Sequence, residues 1–202
     1  MSIPERIRPR REDVRAQILD AAIEVFYREG YGAASIQKIA TEAGFTKGAV
    51  YSNFDSKQAL FGAIMRARFS QVSGAVLAGI EPTNGGWHEA VDQAARLLAR
   101  HIATLGTLHA LVIEFALQAS RDPDAAEVYL ELRRAQRLEL AEALRARAAS
   151  FGLSEDSDYD QVATTILALV SGLTLERIVD PELSTENIIR DALLGALSAA
   201  GA

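Results

Sequence analysis

Residues Ser35-Ile36-Gln37-Lys38-Ile39-Ala40-Thr41-Glu42-Ala43-Gly44-Phe45-Thr46-Lys47-Gly48-Ala49-Val50-Tyr51-Ser52-Asn53-Phe54 decide the fold of this 202-residue chain. Ser35 is placed to cap a short helix, Ile36 to Ala43, and Thr46 to cap a second that ends near Asn53. A hydroxyl at such a position accepts a bond from a backbone N–H that the helix leaves unpaired. Gly44 sits between them, where a sharp turn demands positive φ. Ile36, Ile39 and Ala40 face inward on the first helix, Ala43 is small where the helices cross, and Val50 and Phe54 bury the second. Thr46, Lys47, Gly48, Tyr51 and Ser52 are left pointing outward. Hydroxyl, amine, aromatic ring and backbone N–H at a helix N-terminus make a surface suited to phosphate. Gly48 costs a helix about 1 kcal/mol relative to Ala, which suggests a compensating close approach of backbone to DNA. The same residues also fit an ordinary helical hairpin with a solvated face, and the pattern alone leaves both readings open.

Outward from that hairpin, every segment carries a helical period and none alternates as a strand does. A helix from Glu12 to Glu29 places Val14, Ile18, Ala22, Val25 and Phe26 on one face and ends at Gly30. Ser56 caps a long helix from Lys57 to about Leu77, and the run Gly79–Gly86 is the clearest break in the chain. Further helices are expected over Trp87–Leu105, Leu108–Ser120, Asp124–Ser150, Tyr159–Val179 and Thr185–Ala199, bounded by Gly106, Asp122-Pro123, Gly152 and Asp180-Pro181. The expected fold is all-α, with about nine helices. A three-helix head over residues 1–56, including a basic arm over 1–11, would precede a larger helical body over 57–202.

The net charge of −6 is unevenly shared. Residues 1–68 hold 11 Lys+Arg against 8 Asp+Glu, and the remainder hold 10 against 19. A basic head on an acidic body suits a molecule that meets phosphate at one end, although chance composition would also give this difference. The sequence has no cysteine, which removes disulfides and thiolate chemistry. Charged or amide residues break each apolar stretch before membrane length, and no apolar run follows the N-terminal arginines as in a secretory leader. The expected setting is therefore cytoplasmic, without a membrane partner. No catalytic or metal-ligand pattern is present. The three histidines (His88, His101, His109) are isolated, and neither a nucleophile elbow nor a Gly-rich phosphate loop occurs, so neither an enzyme nor a cofactor is expected.

The run Thr46-Lys47-Gly48-Ala49-Val50-Tyr51-Ser52-Asn53-Phe54-Asp55-Ser56-Lys57-Gln58-Ala59-Leu60 closely resembles the signature of the tetracycline-repressor (TetR) family of bacterial regulators. Phe26-Tyr27-Arg28-Glu29-Gly30-Tyr31-Gly32 and Ile39-Ala40…Ala43-Gly44 also look like that family, so the resemblance covers about residues 12–62. It implies a sequence-specific regulator, a repressor released from a palindromic operator in double-stranded DNA by a small-molecule effector. By position it implies phosphate contacts from Ser35, Thr46, Tyr51 and Lys57, with Lys47 and Gly48 against the major groove. Ala49 and Ser52 would help set operator choice. Both are small, so DNA shape would add to direct base reading. The arm Arg6-Ile7-Arg8-Pro9-Arg10-Arg11 is either a minor-groove contact or a frayed terminus.

In the body, residues 159–179 and 185–199 are apolar on more sides than one buried stripe explains. Either both helices are central core, or they pair with their copies in a four-helix homodimer, as the resemblance implies. Ala163, Ser171, Gly172 and Ala196 are small enough for close helix approach. The middle helices are expected to enclose an effector site whose candidate residues are Phe69, Trp87, His101, Leu105, His109, Leu111, Phe115, Gln118 and Tyr129, apolar walls with a few polar groups.

Overall fold

A computed structural model describes residues 10–82, 84–104 and 106–200. The helices are α1 (Arg11–Ala33), α2 (Ile36–Glu42), α3 (Lys47–Tyr51), α4 (Lys57–Ala78), α5 (Gly86–Thr104), α6 (Gly106–Ala119), α7 (Pro123–Arg147), α8 (Tyr159–Val179) and α9 (Glu186–Ala199). No strand occurs among the described residues. The expected ends of the fifth helix at Leu105 and of the basic arm over residues 6–9 lie outside the described residues.

Local chemistry explains most boundaries. Gly30 has φ 79° and breaks α1, after which one more turn runs to Ala33. Asp122 accepts from the backbone N–H of Asp124 (3.1 Å) and Ala125 (3.4 Å), with Pro123 opening α7. α7 stops three residues short of the expected Ser150. Residues Ala148–Phe151 tighten into a 3₁₀ turn closed by Gly152 in the left-handed region, an ordinary way to satisfy the last carbonyls.

The chain divides into two compact units after Ile64, within α4. The division falls eight residues beyond the expected 56, because Leu60, Phe61 and Ile64 at the start of α4 are buried in the first unit. Phe61 meets Phe26 edge-on at 5.2 Å and Tyr31 at 4.8 Å between ring centroids, and each such pair adds to plain area burial. Ile18, Ala22, Val25, Ile39, Ala40, Val50 and Phe54 complete that core.

The second unit has its own core, in which Val91, Ala95 and Ile102 of α5 join Leu140, Tyr159, Val162, Ala163, Ile189 and Leu193. Of the described helices, α8 alone is long and apolar enough to cross a membrane, with mean hydropathy 1.6, yet only 28% of that window is buried within the chain. The charged and amide residues expected to break it, Asp160, Gln161, Glu176 and Arg177, stand near its two ends and leave 162–175 free of any. Within that run Thr164, Thr165, Ser171 and Thr174 turn their hydroxyls onto backbone carbonyls four residues back, at 2.6–3.0 Å.

Candidate nucleic-acid interface and ligand cavity

The interface in the first unit is built around α3, one turn and a half long. Thr46 Oγ1 accepts from Ala49 N–H at 3.2 Å, and Ser35 Oγ accepts from Lys38 N–H at 3.3 Å, so both expected caps form. Gly44 turns the chain between α2 and α3 with φ 71°. Val50 and Phe54 are buried, and Thr46, Lys47, Gly48, Tyr51 and Ser52 are exposed. Tyr51 keeps 45% of its surface open, with Lys47 Nζ 5.7 Å from its ring centre. Ala49 is half-buried, and Ser35 is half-buried with its hydroxyl used as a cap.

Four residues hold the far end of α3, and sequence reasoning assigned none of them that role. Ser52 Oγ and Asn53 Nδ2 both donate to Ala49 O at 2.8 Å. Arg11 Nη2 donates to Ser52 O at 3.3 Å and Arg15 Nη1 to Asn53 O at 2.7 Å. The Arg15 guanidinium also lies 4.1 Å from the Phe54 ring centre, a stacking Lys would not match. The signal was present as arginines four apart on the first helix, but their target is 38 or more residues away in the chain.

Lys57 is not the open phosphate contact that was expected. Its Nζ donates to Tyr31 O at 2.9 Å and Ala34 O at 3.0 Å and lies 4.3 Å from the Tyr31 ring centre. Burial pushes its ammonium below the ordinary value. With two of three donors engaged, this lysine closes the carbonyl end of α1, a place where cations are favoured by the helix dipole.

In the second unit, α4, α5, α6, α7, α8 and α9 line a cavity partly open to solvent, about 1060 Å³ of empty space with the open part counted. Phe69, His101 and His109 line it as expected. The other candidates lie elsewhere. Trp87 lines an adjoining cavity, and Tyr129 lines a separate one with His109. Phe115 is fully buried core against Tyr129, and Leu111 is buried core. Gln118 is exposed and donates to Asp122 at 3.4 Å beyond the end of its helix. Leu105 lies outside the described residues. Arg68, Arg133 and Gln136 line the cavity and were missed, since single polar residues on amphipathic helices read as solvated faces. His101 is held below its ordinary imidazole value by burial and then by His109.

On α8 and α9 an apolar face remains uncovered within the chain. Leu175, Ile178 and Ile188 are nearly half exposed and Val179 is 83% exposed. Thr164, Ala168, Gly172, Leu175 and Val179 follow one another at three- and four-residue steps along that open side. Ala163 and Ala196, expected at a helix crossing between copies, are buried inside the chain instead, and Ser171 lines the cavity. A side chain at Gly172 would meet nothing within 4 Å.

Residues 18–64 match the model of bacterial regulatory proteins of the tetR family, and residues 107–200 match that of the C-terminal region of BetI-type transcriptional repressors. The chain belongs to the tetR family. The HTH-type transcriptional regulator SrpR of Pseudomonas putida is 42% identical over 57 residues, 28% of this chain and 27% of SrpR. The chain thus spans about a quarter of that relative's length. The solved transcriptional regulator FadR of Bacillus subtilis, in complex with stearoyl-CoA, shares the fold with a TM-score of 0.62 and 20% identity over 91% of this chain and 97% of that one. GusR of Salmonella enterica superposes with a TM-score of 0.65 and 24% identity over 92% and 96%. The tetR-family fold thus holds well beyond the head.

Proposed function

We propose that this protein is a sequence-specific DNA-binding transcriptional regulator, a homodimeric repressor released from a palindromic operator by a small molecule. The observation that carries the reading is the exposed N-terminal face of α3, where Thr46, Lys47, Gly48, Tyr51 and Ser52 stand clear of a fully packed core. Lys47 and Gly48 lie against the major groove, Thr46 and Tyr51 hold phosphate, and the capped ends of α3 keep them in register. Ser35 contributes through the α2 N-terminus, and Ala49 and Ser52 tune operator choice. Lys57 acts by holding the end of α1.

Two copies meet through the open faces of α8 and α9, a self-complementary arrangement with two heads for two half-sites. The effector acts through α4. Its first two turns belong to the head core, and Met65, Phe69, Val72 and Val76 further along line the cavity. A ligand that favours one arrangement of α4 shifts the protein between two states of different operator affinity. The protein works in the cytoplasm, where the promoter is.

The deciding experiment selects bound duplexes from a random pool, then compares the winner with random DNA at one salt concentration. A preference of about a thousand-fold or more is expected. Equal affinities would instead make the protein a nonspecific DNA coater.

A further inference from the structure

The ionisable side chains that line the first cavity are all basic. Arg68, Arg133, His101 and His109 line it, and no aspartate or glutamate does. No carboxylate lies within 4 Å of either arginine among the described residues. Each guanidinium donates to a glutamine instead, Arg68 to Gln71 at 3.1 Å and Arg133 to Gln136 at 3.3 Å. His101 Nε2 is buried with no hydrogen-bond partner. A buried donor in that state is worth satisfying, and an oxyanion beside a guanidinium satisfies it with a charge-assisted bond.

The opposite end is apolar. The adjoining cavity shares Leu77, Ile80, Ala94, Leu144, Ile166 and Leu193 with the first, so the two abut along common walls. Its single cation is already engaged, since Arg147 donates to Ile80 O at 2.7 Å and lies 5.6 Å from the Phe151 ring centre. One stripe of α5 runs the whole way. Trp87, Ala90 and Val91 line the apolar part, Ala94 both parts, and Leu98 and His101 the charged part. Trp87 and His101 are fourteen residues apart, about 21 Å at ~1.5 Å per helical residue. A fully extended chain advances about 3.6 Å per three bonds, so about seventeen bonds, a chain of about eighteen carbons, fill that length. Among the residues that line the first cavity, Phe69 and the two imidazoles are the only rings, which suits a flexible chain better than a flat ring system.

We propose that the two adjoining cavities together take a long-chain aliphatic carboxylate, with its head between Arg133 and His101 and its chain running along α5 from one into the other, towards Trp87. The proposal rests on the reading of the cavity as the effector site and names the class of effector. Arg68 adds to the positive field at the same end, while α8 and α9 supply only uncharged walls.

The test titrates the full chain by calorimetry with hexadecanoate, its methyl ester, hexadecanol and hexadecyltrimethylammonium, each below its micellar concentration. Hexadecanoate is expected to bind at least about tenfold more tightly than the ester or alcohol, and the ammonium not measurably. Affinity should rise from decanoate to hexadecanoate and fall beyond octadecanoate. Arg133→Gln should weaken hexadecanoate about tenfold and leave hexadecanol unchanged. His101→Leu, which removes the ring nitrogens, should do the same to a smaller extent and serves if the arginine variant does not fold. Equal binding of acid and ester, tighter binding of the ammonium, or absence of any chain-length maximum would overturn the proposal. Operator release is scored separately. Hexadecanoate that binds without releasing selected DNA refutes the effector reading and supports the ligand class, whereas release by another molecule with no carboxylate binding does the reverse.

Discussion

α3 and α8 are opposites in how their sequence specifies their surroundings. α3 is five residues long and is held by polar devices at both ends: the Thr46 cap at one, Asn53, Arg11 and Arg15 at the other. α8 is 21 residues long, folds its hydroxyls onto its own backbone and leaves an apolar side uncovered. The first is finished within one chain, and the second gains further burial only from something beyond it. A short helix in water is marginal by itself, so a working surface on one must be held from outside, and the head does so with side chains drawn from α1.

The sharpest way to break this contrast is at the head core. Phe61→Ala removes a fully buried ring from the Phe26–Tyr31–Phe61 cluster and should cost about 3–5 kcal/mol. Because the two units are compact separately, DNA binding should vanish while calorimetric ligand binding persists. Loss of both together would show that the units do not fold independently. Next in size is Leu175→Glu, which puts a charge on the open face of α8. It should weaken self-association by about 2 kcal/mol or more, read by sedimentation. A Gly172→Leu variant, whose Cβ would meet nothing within 4 Å, should act in the same direction. An unchanged mass distribution for both would leave the α8 face without its partner copy.

Lys57→Met separates two roles of one residue. Loss of the bonds to Tyr31 O and Ala34 O should lower head stability by about 1–3 kcal/mol. The slope of log affinity against log salt should stay unchanged, whereas a direct phosphate contact would flatten it by about 1. Thr46→Ala is smaller, about 1 kcal/mol from the lost cap on Ala49 N–H, and is expected to weaken specific and random DNA alike.

The smallest effect is the pH dependence of the body. His101 titrates below 6.5 in the fold, so the unfolded chain takes up the proton first. The stability that neutral His101 contributes is therefore complete above about pH 6.5 and is lost as pH falls towards the folded value. The melting temperature of the body should decline between about pH 7 and 5, and His101→Gln should flatten that decline. A rise on acidification would reverse the sign and place the imidazole beside an anion.

The head was legible from the sequence because its determinants are local. Ser35, Gly44, Thr46 and the Val50–Phe54 pair each act within four residues of their partners, and all stand where the pattern put them. Long-range side chains escaped for the same reason. Arg15 reaches 38 residues to Asn53, and Lys57 reaches 26 back to Tyr31, distances over which sequence spacing carries no geometry. In the body the helices and their breaks were legible but the cavity was only partly so. Phe115 and His101 sit on consecutive helices, yet one is sealed in the core and the other lines the cavity. That choice depends on how neighbouring helices cross, which a periodicity does not encode.

The brevity of α3 also limits what a single head is able to say. Five residues span about 7.5 Å, little more than two steps of a duplex that rises ~3.4 Å per base pair. In the proposed dimer each head would therefore read a short word, and the gap between the two words would carry much of what marks an operator. One base pair inserted into that gap turns the second word by about a tenth of a helical revolution. Such an insertion should harm recognition more than a wrong letter inside either word, so the sites this protein finds in a genome would be defined first by spacing and only then by spelling.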